Sequence, residues 1–177
     1  EGLRRVMPFL RSSQSILIII NQTRDNIPVP GTLSFQKQTR AGGRALTFYA
    51  TLELWLIVKK SNKKHIKGKD REVGIVSRVQ VKKNRVTGRN RRVDITLNHS
   101  SGIDDVGSCV EWLLEEKHWT KSGKDINAKE LCLKMSQEAL IQHIEDNNLE
   151  KQLQQVVSQV WHEIDELCQV KRKSKYA

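Results

Sequence analysis

The feature that most constrains the fold of this chain is an unbroken aliphatic run, Ile16–Ile20. A strand built from such a run has no polar face, so the run predicts a strand that is buried on both sides. Strands of this kind are typical of parallel sheets that carry helices on both faces. The helical spacing of Leu3, Val6 and Leu10 predicts that residues 1–12 form a helix leading into this strand. The chain is therefore expected to be an α/β protein.

A long polar segment, Thr23–Gly43, separates the aliphatic run from the next apolar stretch. Loops of this length are uncommon in compact domains and are usually functional or disordered. We therefore expect this segment to carry a binding function. The apolar and β-branched stretch Ala45–Val58 that follows predicts a second strand, which a short helix could begin.

The middle of the chain predicts a loop and two more strands. The polar run Lys59–Arg71 holds eight basic residues, counting His65, and is expected to be an exposed loop. The segments Val73–Lys83 and Arg91–Leu97 are expected to be strands, joined by a hairpin at Thr87-Gly88-Arg89.

After Gly102 the apolar residues recur at helical spacing. This spacing predicts three helices, within residues 106–117, 131–144 and 149–167. The expected organisation is an α/β part over residues 1–99, a small, mostly helical domain over residues 100–170, and a basic tail over residues 171–177.

Positive charge is concentrated in the first part of the chain. The net charge is +11, and residues 1–99 carry 21 Lys and Arg against 6 Asp and Glu. Clustered cations of this kind are typical of proteins that bind nucleic acids. A merely solvated basic surface is the alternative.

Several function classes lack support in the sequence. No apolar run is long enough to span a membrane, and the three cysteines form no CxxC pair. The histidines show no metal-ligand spacing, so no metal site is expected. Gly123-Lys124 lacks the first glycine and the Ser or Thr of a P-loop. The sequence shows no complete active site.

Polar residues at the ends of the predicted strands are better candidates, because ligands of open α/β sheets lie at the carboxyl ends of strands. Asn21-Gln22 follows the aliphatic run, and Gly42-Gly43 exposes backbone N–H groups that suit a phosphate. The residues Lys82–Arg85 end a further strand with fixed positive charge. The alternatives are a polar strand cap, an ordinary turn and a solvated charge run.

These segments resemble a known family when they are taken in order. They read INQTR, AGGRALTFYAT and SRVQVKKNR, followed by LNHSSGI. Together they resemble the carboxyl-terminal half of a RecA-type recombinase, in a phage or prophage version. The resemblance covers most of residues 1–170, and SGIDDVGSCVEWLLEEKHW resembles the start of that family's small carboxyl-terminal domain. It implies the second half of a RecA-like ATPase core sheet, followed by a small, mostly helical domain.

The resemblance implies a DNA-binding role for the long loop, residues 23–43. This loop would be the family's second DNA-binding loop, which orders along single-stranded DNA within a helical filament. The residues matched to DNA contacts are Arg24, Arg40, Gly42, Gly43 and Arg44.

Other matched residues would serve the nucleotide. Gln22 would sense the γ-phosphate of ATP, and Lys83 and Arg85 would reach the ATP of a neighbouring subunit in trans, like an arginine finger. Phe48 would relay the ATP state at the subunit interface, and His99 would lie against the adenine. Arg85 stands where the family usually has Lys.

The family's P-loop, catalytic glutamate and magnesium aspartate would precede the part represented here. We therefore expect a portion of a longer DNA-dependent ATPase that uses ATP and Mg²⁺, whereas this chain alone would bind neither and would not hydrolyse ATP. Its expected partners are single-stranded DNA, double-stranded DNA and further copies in a filament, with no membrane, in the cytoplasm of a bacterial or phage-infected cell. One alternative is a free-standing basic nucleic-acid-binding module without ATPase activity. Another is a helical adaptor whose long third helix docks a partner.

Overall fold

The structure is a computed structural model that describes residues 2–25, 38–40 and 43–169. It is a mixed α/β protein with antiparallel sheets. The chain divides into two compact units, Glu1–Leu54 with Val81–Asn90, and Trp55–Gln80 with Arg91–Ala177. Within the described ranges, no helix is both long enough and apolar enough to cross a membrane.

The amino-terminal unit contains short elements. Helix α1 spans Gly2–Ser12, which confirms the helix predicted over residues 1–12, with Pro8 inside it. Strands β1 (Thr23–Asp25) and β2 (Gln38–Arg40) pair antiparallel, and helix α2 spans Gly43–Tyr49.

The aliphatic run departs from its prediction, because Ile16–Ile20 is not part of a strand. Its side chains are exposed, with Ile16 at 89%, Ile18 at 79% and Ile20 at 94%. A strand buried on both faces needs neighbouring strands and covering helices, and none of the described residues provides them for this run. The expected parallel sheet is likewise not seen, since the described ladders with a defined register are antiparallel.

A four-stranded sheet of order β3-β4-β5-β6 forms the middle of the chain. Its strands are β3 (Leu52–Ile66), β4 (Lys69–Asn84), β5 (Arg92–Asn98) and β6 (Gly102–Asp104). β4 and β5 pair antiparallel from Gly74↔Asn98 to Gln80↔Arg92, which confirms the predicted hairpin between them.

The predicted loop Lys59–Arg71 is wrong, because these residues complete β3, turn, and begin β4. The turn residues Lys67 and Gly68 both have positive φ, 50° and 74°. Two consecutive positive φ values are the geometry of a type I′ turn, whose twist matches that of the strands it joins. The prediction for residues 45–58 is confirmed, since the short helix that could begin this stretch is α2 and the strand β3 follows from Leu52.

The carboxyl-terminal part folds around one core. Its helices are α3 (Asp105–Glu115), α4 (Gln137–Asp146) and α5 (Glu150–Leu167). A three-stranded antiparallel sheet, β7 (Thr120–Ser122), β8 (Asp125–Ala128) and β9 (Leu133–Ser136), lies between α3 and α4 in the chain. The fully buried large side chains of this core are Val110, Leu113, Trp119, Ile126, Leu140, Ile144 and Leu153.

Two of the three predicted helices, α3 and α5, are confirmed. The second is wrong in its first half, because Leu131 ends a 3-10 turn, Met135 lies in β9, and α4 begins only at Gln137. Strands of three or four residues are too short for their alternation to be recognised in sequence.

Candidate functional site

A short antiparallel ladder brings the two ends of the long loop together. Thr23 lies opposite Arg40, Arg24 opposite Thr39, and Asp25 opposite Gln38. The predicted loop 23–43 is therefore structured at its base. Arg24 is exposed at this base.

For three of the other four residues predicted to contact DNA, the structure describes only the backbone, and the fourth lies outside the described residues. Arg40 lies in β2, and Gly43 and Arg44 begin α2. Gly42 and residues 26–37 lie outside the described residues.

Gln22 immediately precedes β1 and is exposed. The sequence places it at the carboxyl end of a buried strand, but the structure places it after the exposed aliphatic run. Its amide can donate to an anion from this position, but the sheet edge that was expected to orient it is absent from the described residues.

The clearest cluster of matched residues lies at the end of α2. The Lys83 ammonium donates to the backbone carbonyl oxygens of Thr47 and Phe48, in the last turn of the helix. A cation at this position satisfies carbonyls that have no partner within the helix and complements the negative end of its dipole.

Arg85 belongs to the same cluster. Its guanidinium lies over the ring of Phe48, 5.9 Å from the centroid, and its backbone N–H donates to the carbonyl of Thr51 at 3.0 Å. Phe48 in turn packs edge-to-face against Tyr49, with ring centroids 5.1 Å apart. Three matched residues, Lys83, Arg85 and Phe48, are thus brought together directly after the long loop.

Asn84 shapes the turn that carries Arg85. Its side-chain oxygen accepts from the N–H groups of Val86 (3.0 Å) and Thr87 (3.1 Å), and its amide donates to the Thr87 hydroxyl (2.6 Å) and the Arg89 carbonyl (3.0 Å). Four hydrogen bonds from one side chain hold the turn in a single shape, so the backbone position of Arg85 is well defined.

A bidentate ion pair supports the β4–β5 ladder in the second unit. Arg78 donates to both carboxylate oxygens of Asp94, at 2.6 and 2.8 Å, and the two residues are opposite each other in the register. The hydrogen bond from Arg78 lowers the pKa of the Asp94 carboxyl. The same bond raises the pKa of Arg78, so both groups stay charged.

His99 lies in the second unit, just after β5. Its backbone N–H donates to the carbonyl of Val73 at 3.0 Å, and its imidazole Nε2 lies 3.8 Å from a Glu72 carboxylate oxygen. The ring is exposed. The described contacts of His99 are therefore with a neighbouring strand and a carboxylate.

The sequence does not reveal how one group of basic side chains is arranged. The sequence predicts a loop for the cations within 59–71, whereas the structure arranges them along two hydrogen-bonded strands. Gly68, between two polar runs of similar length, is the sequence signal for a turn. Lys67 before it, however, is not a residue that favours positive φ.

Comparison with known proteins identifies the family. A family model described as the RecA N-terminal domain matches residues 1–104. A protein named Protein RecA from Caldanaerobacter subterraneus is 30% identical over 147 residues, covering 83% of this chain and 41% of the relative. Protein RecA from Clostridioides difficile is 28% identical over 147 residues, covering 83% and 40%.

A third relative, Protein RecA from Lactiplantibacillus pentosus, is 30% identical over 123 residues, covering 70% of this chain and 31% of its own length. The chain spans well under half the length of these curated relatives. The match to the family model extends over more than half of the chain. The chain belongs to the RecA family.

Proposed function

We propose that this chain is part of a DNA-dependent ATPase that forms filaments on single-stranded DNA and promotes homologous pairing and strand exchange. In this proposal it supplies the DNA-binding loop 23–43 and residues that contact phosphates in trans. The observation that carries it is the cluster of Lys83, Arg85 and Phe48 at the end of α2, the helix that directly follows the loop.

The cluster suits a role that couples ATP to DNA. Lys83 is held by carbonyl oxygens of α2, so an ATP phosphate that attracted Lys83 would compete with the last turn of this helix. Because α2 begins where the loop ends, a change in α2 caused by this competition would also affect the loop. Gln22, at the other end of the loop, would be the γ-phosphate sensor, and His99 would lie against the adenine.

The cations of this cluster fit a polyphosphate. Lys83 and Arg85 are two cations separated by one residue, which suits phosphate oxygens in number and charge. ATP bound by a neighbouring subunit would supply the phosphoryl group, and these two residues would stabilise its negative charge. Within the described ranges no group of three His, Cys, Asp or Glu could hold a metal ion.

The exposed aliphatic run supports the view that the chain represents the second half of a RecA-like core. Ile16–Ile20 has the composition of a central strand, yet it is exposed, and the chain spans only about 40% of two of its relatives. The remainder of such a core would cover it. Identity near 30% to bacterial relatives is also compatible with a phage or prophage version.

DNA binding by the loop can be tested with Arg24→Ala. Each phosphate contact on a single strand contributes about 0.7 to the salt slope of the binding constant, so the variant should bind a fluorescent oligonucleotide more weakly and with a slope smaller by about that amount. The matched control is Lys151→Ala, which removes an exposed cation from α5 and should leave the slope unchanged. An unaltered slope for Arg24→Ala would remove this residue from the DNA contacts.

A basic nucleic-acid-binding module without ATPase activity is the second candidate, favoured by the concentration of cations in residues 1–99. It predicts the same result for Arg24→Ala. Only the first candidate predicts that Lys83 or Arg85 matters for ATP turnover.

A further inference from the structure

Asn84 lies between the two cations proposed to contact phosphates, and the matched motifs give it no role of its own. Lys83 and Arg85 both contact the end of α2, the first through the carbonyl oxygen of Phe48 and the second through its ring. Asn84 is one residue from each of them, and neighbouring side chains of an extended chain point to opposite sides. The half-buried side chain of Asn84 is directed into the turn that follows β4.

This turn lies outside the β4–β5 ladder. The last pair of the described register is Gln80↔Arg92, so the ladder does not fix the residues between these two. The backbone N–H of Arg85 donates to the carbonyl of Thr51, the residue that precedes β3, at 3.0 Å. Beyond Arg85, the side-chain hydrogen bonds described for this segment are within the turn itself.

The side-chain amide of Asn84 makes four hydrogen bonds in the turn. One end of the amide faces the backbone N–H groups of Val86 and Thr87, at 3.0 and 3.1 Å, and this end must be the oxygen because an N–H group can only donate. The other end is then the nitrogen, which donates to the Thr87 hydroxyl at 2.6 Å and to the Arg89 carbonyl at 3.0 Å. The amide thus joins the start of the turn to its far end.

The turn needs an acceptor and a donor from the same short side chain. Asparagine provides both, whereas aspartate has oxygens for the two N–H groups but no N–H for the Arg89 carbonyl. Gly88 has a φ of 72°, which glycine adopts without strain, and it lets the chain reverse beside the amide. The turn is therefore a defined structure that depends on the chemistry of Asn84.

A defined turn matters because of the side chain that it carries. The Arg85 guanidinium is planar and donates in fixed directions, so it has to be aimed at phosphate oxygens. Hydrogen bonds to Thr51 and Asn84 hold the peptide groups on either side of the Arg85 Cα atom. At its far end the guanidinium lies over the Phe48 ring, 5.9 Å from the centroid. A side chain that is already oriented loses less freedom when it binds.

We propose that Asn84 is a positioning residue for the phosphate contact made in trans: its amide closes the turn so that the Arg85 guanidinium is presented in one orientation to the ATP of a neighbouring subunit. The inference deepens the proposed function, on which it rests for the identity of the phosphate ligand. The orientation of Arg85 itself can be tested without ATP.

The first test measures the orientation of Arg85 in the full chain by nuclear magnetic resonance. Protons held over an aromatic ring are shifted upfield by its ring current, so the Arg85 side-chain protons should show an upfield shift that Phe48→Leu abolishes. Asn84→Ala should lose most of this shift, and the Val86 and Thr87 amides should exchange faster because they lose their acceptor. A shift that is retained in Asn84→Ala would overturn the inference.

Two further variants control for the fold. Asn84→Asp keeps the acceptor oxygens and removes only the donor, so it should lose part of the shift even if the alanine variant does not fold. Asn147→Ala is the matched control, because the Asn147 amide also donates to a backbone carbonyl, that of His143 at 2.8 Å, but at the end of α4. It should leave the Arg85 protons unchanged. Circular dichroism checks that each variant is folded.

The second test measures DNA-dependent ATP turnover in a fusion of the full chain to the ATP-binding part of a RecA relative. Asn84→Ala should lower turnover by about tenfold, because a misplaced contact slows the reaction even when it is still present. Nucleotide affinity should not change, since Arg85 is proposed to act in trans. In an Arg85→Ala background, Asn84→Ala should lower turnover further by less than about twofold, because two residues that act through one contact are not additive.

The two tests separate failure of this inference from failure of the proposed function. If Arg85→Ala lowers turnover but Asn84→Ala does not, the trans contact stands and the positioning role is wrong. A loss from Asn84→Ala that is equally large in the Arg85→Ala background would also overturn the positioning role. If Arg85→Ala leaves turnover unchanged, the trans role of Arg85 in the proposed function is refuted, whatever the ring-current shift shows.

Discussion

Helix α5 and the run Ile16–Ile20 are both apolar in pattern, but only one of them is buried. α5 places Leu153, Val156 and Val160 in the carboxyl-terminal core, whereas Ile16, Ile18 and Ile20 are almost fully exposed. Helix α1 resembles the aliphatic run in this respect, since it has a strong apolar stripe and no buried residue. An apolar pattern shows that a helix or strand must pack against another element, but it does not show which residues form that element.

The carboxyl-terminal part closes its core with its own residues. Trp119, from the turn after α3, is 1% exposed and donates its indole N–H to Glu130 at 2.7 Å. Arg91 adds a contact at the edge, since its guanidinium lies 4.6 Å from the ring centroid of Trp161 and pairs with Asp165. This region should therefore hold most of the stability of the chain, and the amino-terminal region should hold most of the residues that act on a ligand.

The largest expected effect is on stability, from Leu140→Ala. Leu140 is fully buried in the core, so the substitution should cost about 2–5 kcal/mol through lost burial and a residual cavity. Hydrogen exchange should report this as faster exchange of the amides in α3, α4 and α5.

Ile18→Ala is the matched substitution in the aliphatic run. Because Ile18 is 79% exposed, its truncation should change stability by less than about 0.5 kcal/mol. A loss at Ile18 as large as that at Leu140 would show that this run is buried in solution and would remove the contrast between the two regions.

The same contrast explains which parts of the fold can be predicted from sequence. α5 and α3 can be predicted because their apolar spacing is long and is satisfied by nearby elements. The burial of Ile16–Ile20 could not be predicted correctly, since it depends on strands that no local pattern shows. The β3–β4 turn is not predictable from the sequence, because a lysine, Lys67, adopts a positive φ that is usually taken by Gly, Asn or Asp.

The candidate site, too, can be predicted only in part from the sequence. The motifs identify Lys83, Arg85 and Phe48 as residues of interest, and the structure brings these three side chains together. The contact of Lys83 with the carbonyls of α2 cannot be read from sequence, because it depends on where β4 places a residue 36 positions after Thr47. The cations of residues 59–71 are visible in the composition, but their arrangement along two strands depends on the turn geometry.

The second expected effect is on function, from Lys83→Ala. In a chimaera that joins this chain to the ATP-binding part of a RecA relative, the variant should lower DNA-dependent ATP turnover by about 10²-fold, as is typical when one donor to a transition-state charge is removed. Nucleotide binding should remain, because the residue is proposed to act in trans.

Lys151→Ala, on the exposed face of α5, is the control that removes one cation from the other region and should leave turnover unchanged. In the chain alone, Lys83→Ala should also speed the exchange of the Ala50 amide, which donates to Leu46 at the end of α2. Unchanged turnover would argue against ATP coupling and in favour of the DNA-binding module.

A further expected effect depends on pH and concerns Glu130, which contacts the carboxyl-terminal core through Trp119. Burial by itself would raise the pKa of Glu130, but hydrogen bonds from the Trp119 indole, its own backbone N–H and the His118 imidazole together lower it below its ordinary value of 4.5. Because the pKa is lowered by folding, the charged carboxylate stabilises the fold above the ordinary pKa, and this contribution is lost as the pH falls through the lowered value.

Glu130→Gln keeps an acceptor for Trp119 but removes the charge. Since the carboxylate is partly exposed, the variant should be less stable than the parent by only about 1 kcal/mol at pH 7, and the two chains should converge as the pH falls below about 4.5. Urea unfolding followed by tryptophan fluorescence at pH 7, 5, 4 and 3 measures this difference. A difference that stays constant down to pH 3 would show that the geometry of the amide, and not the charge of Glu130, matters for the core.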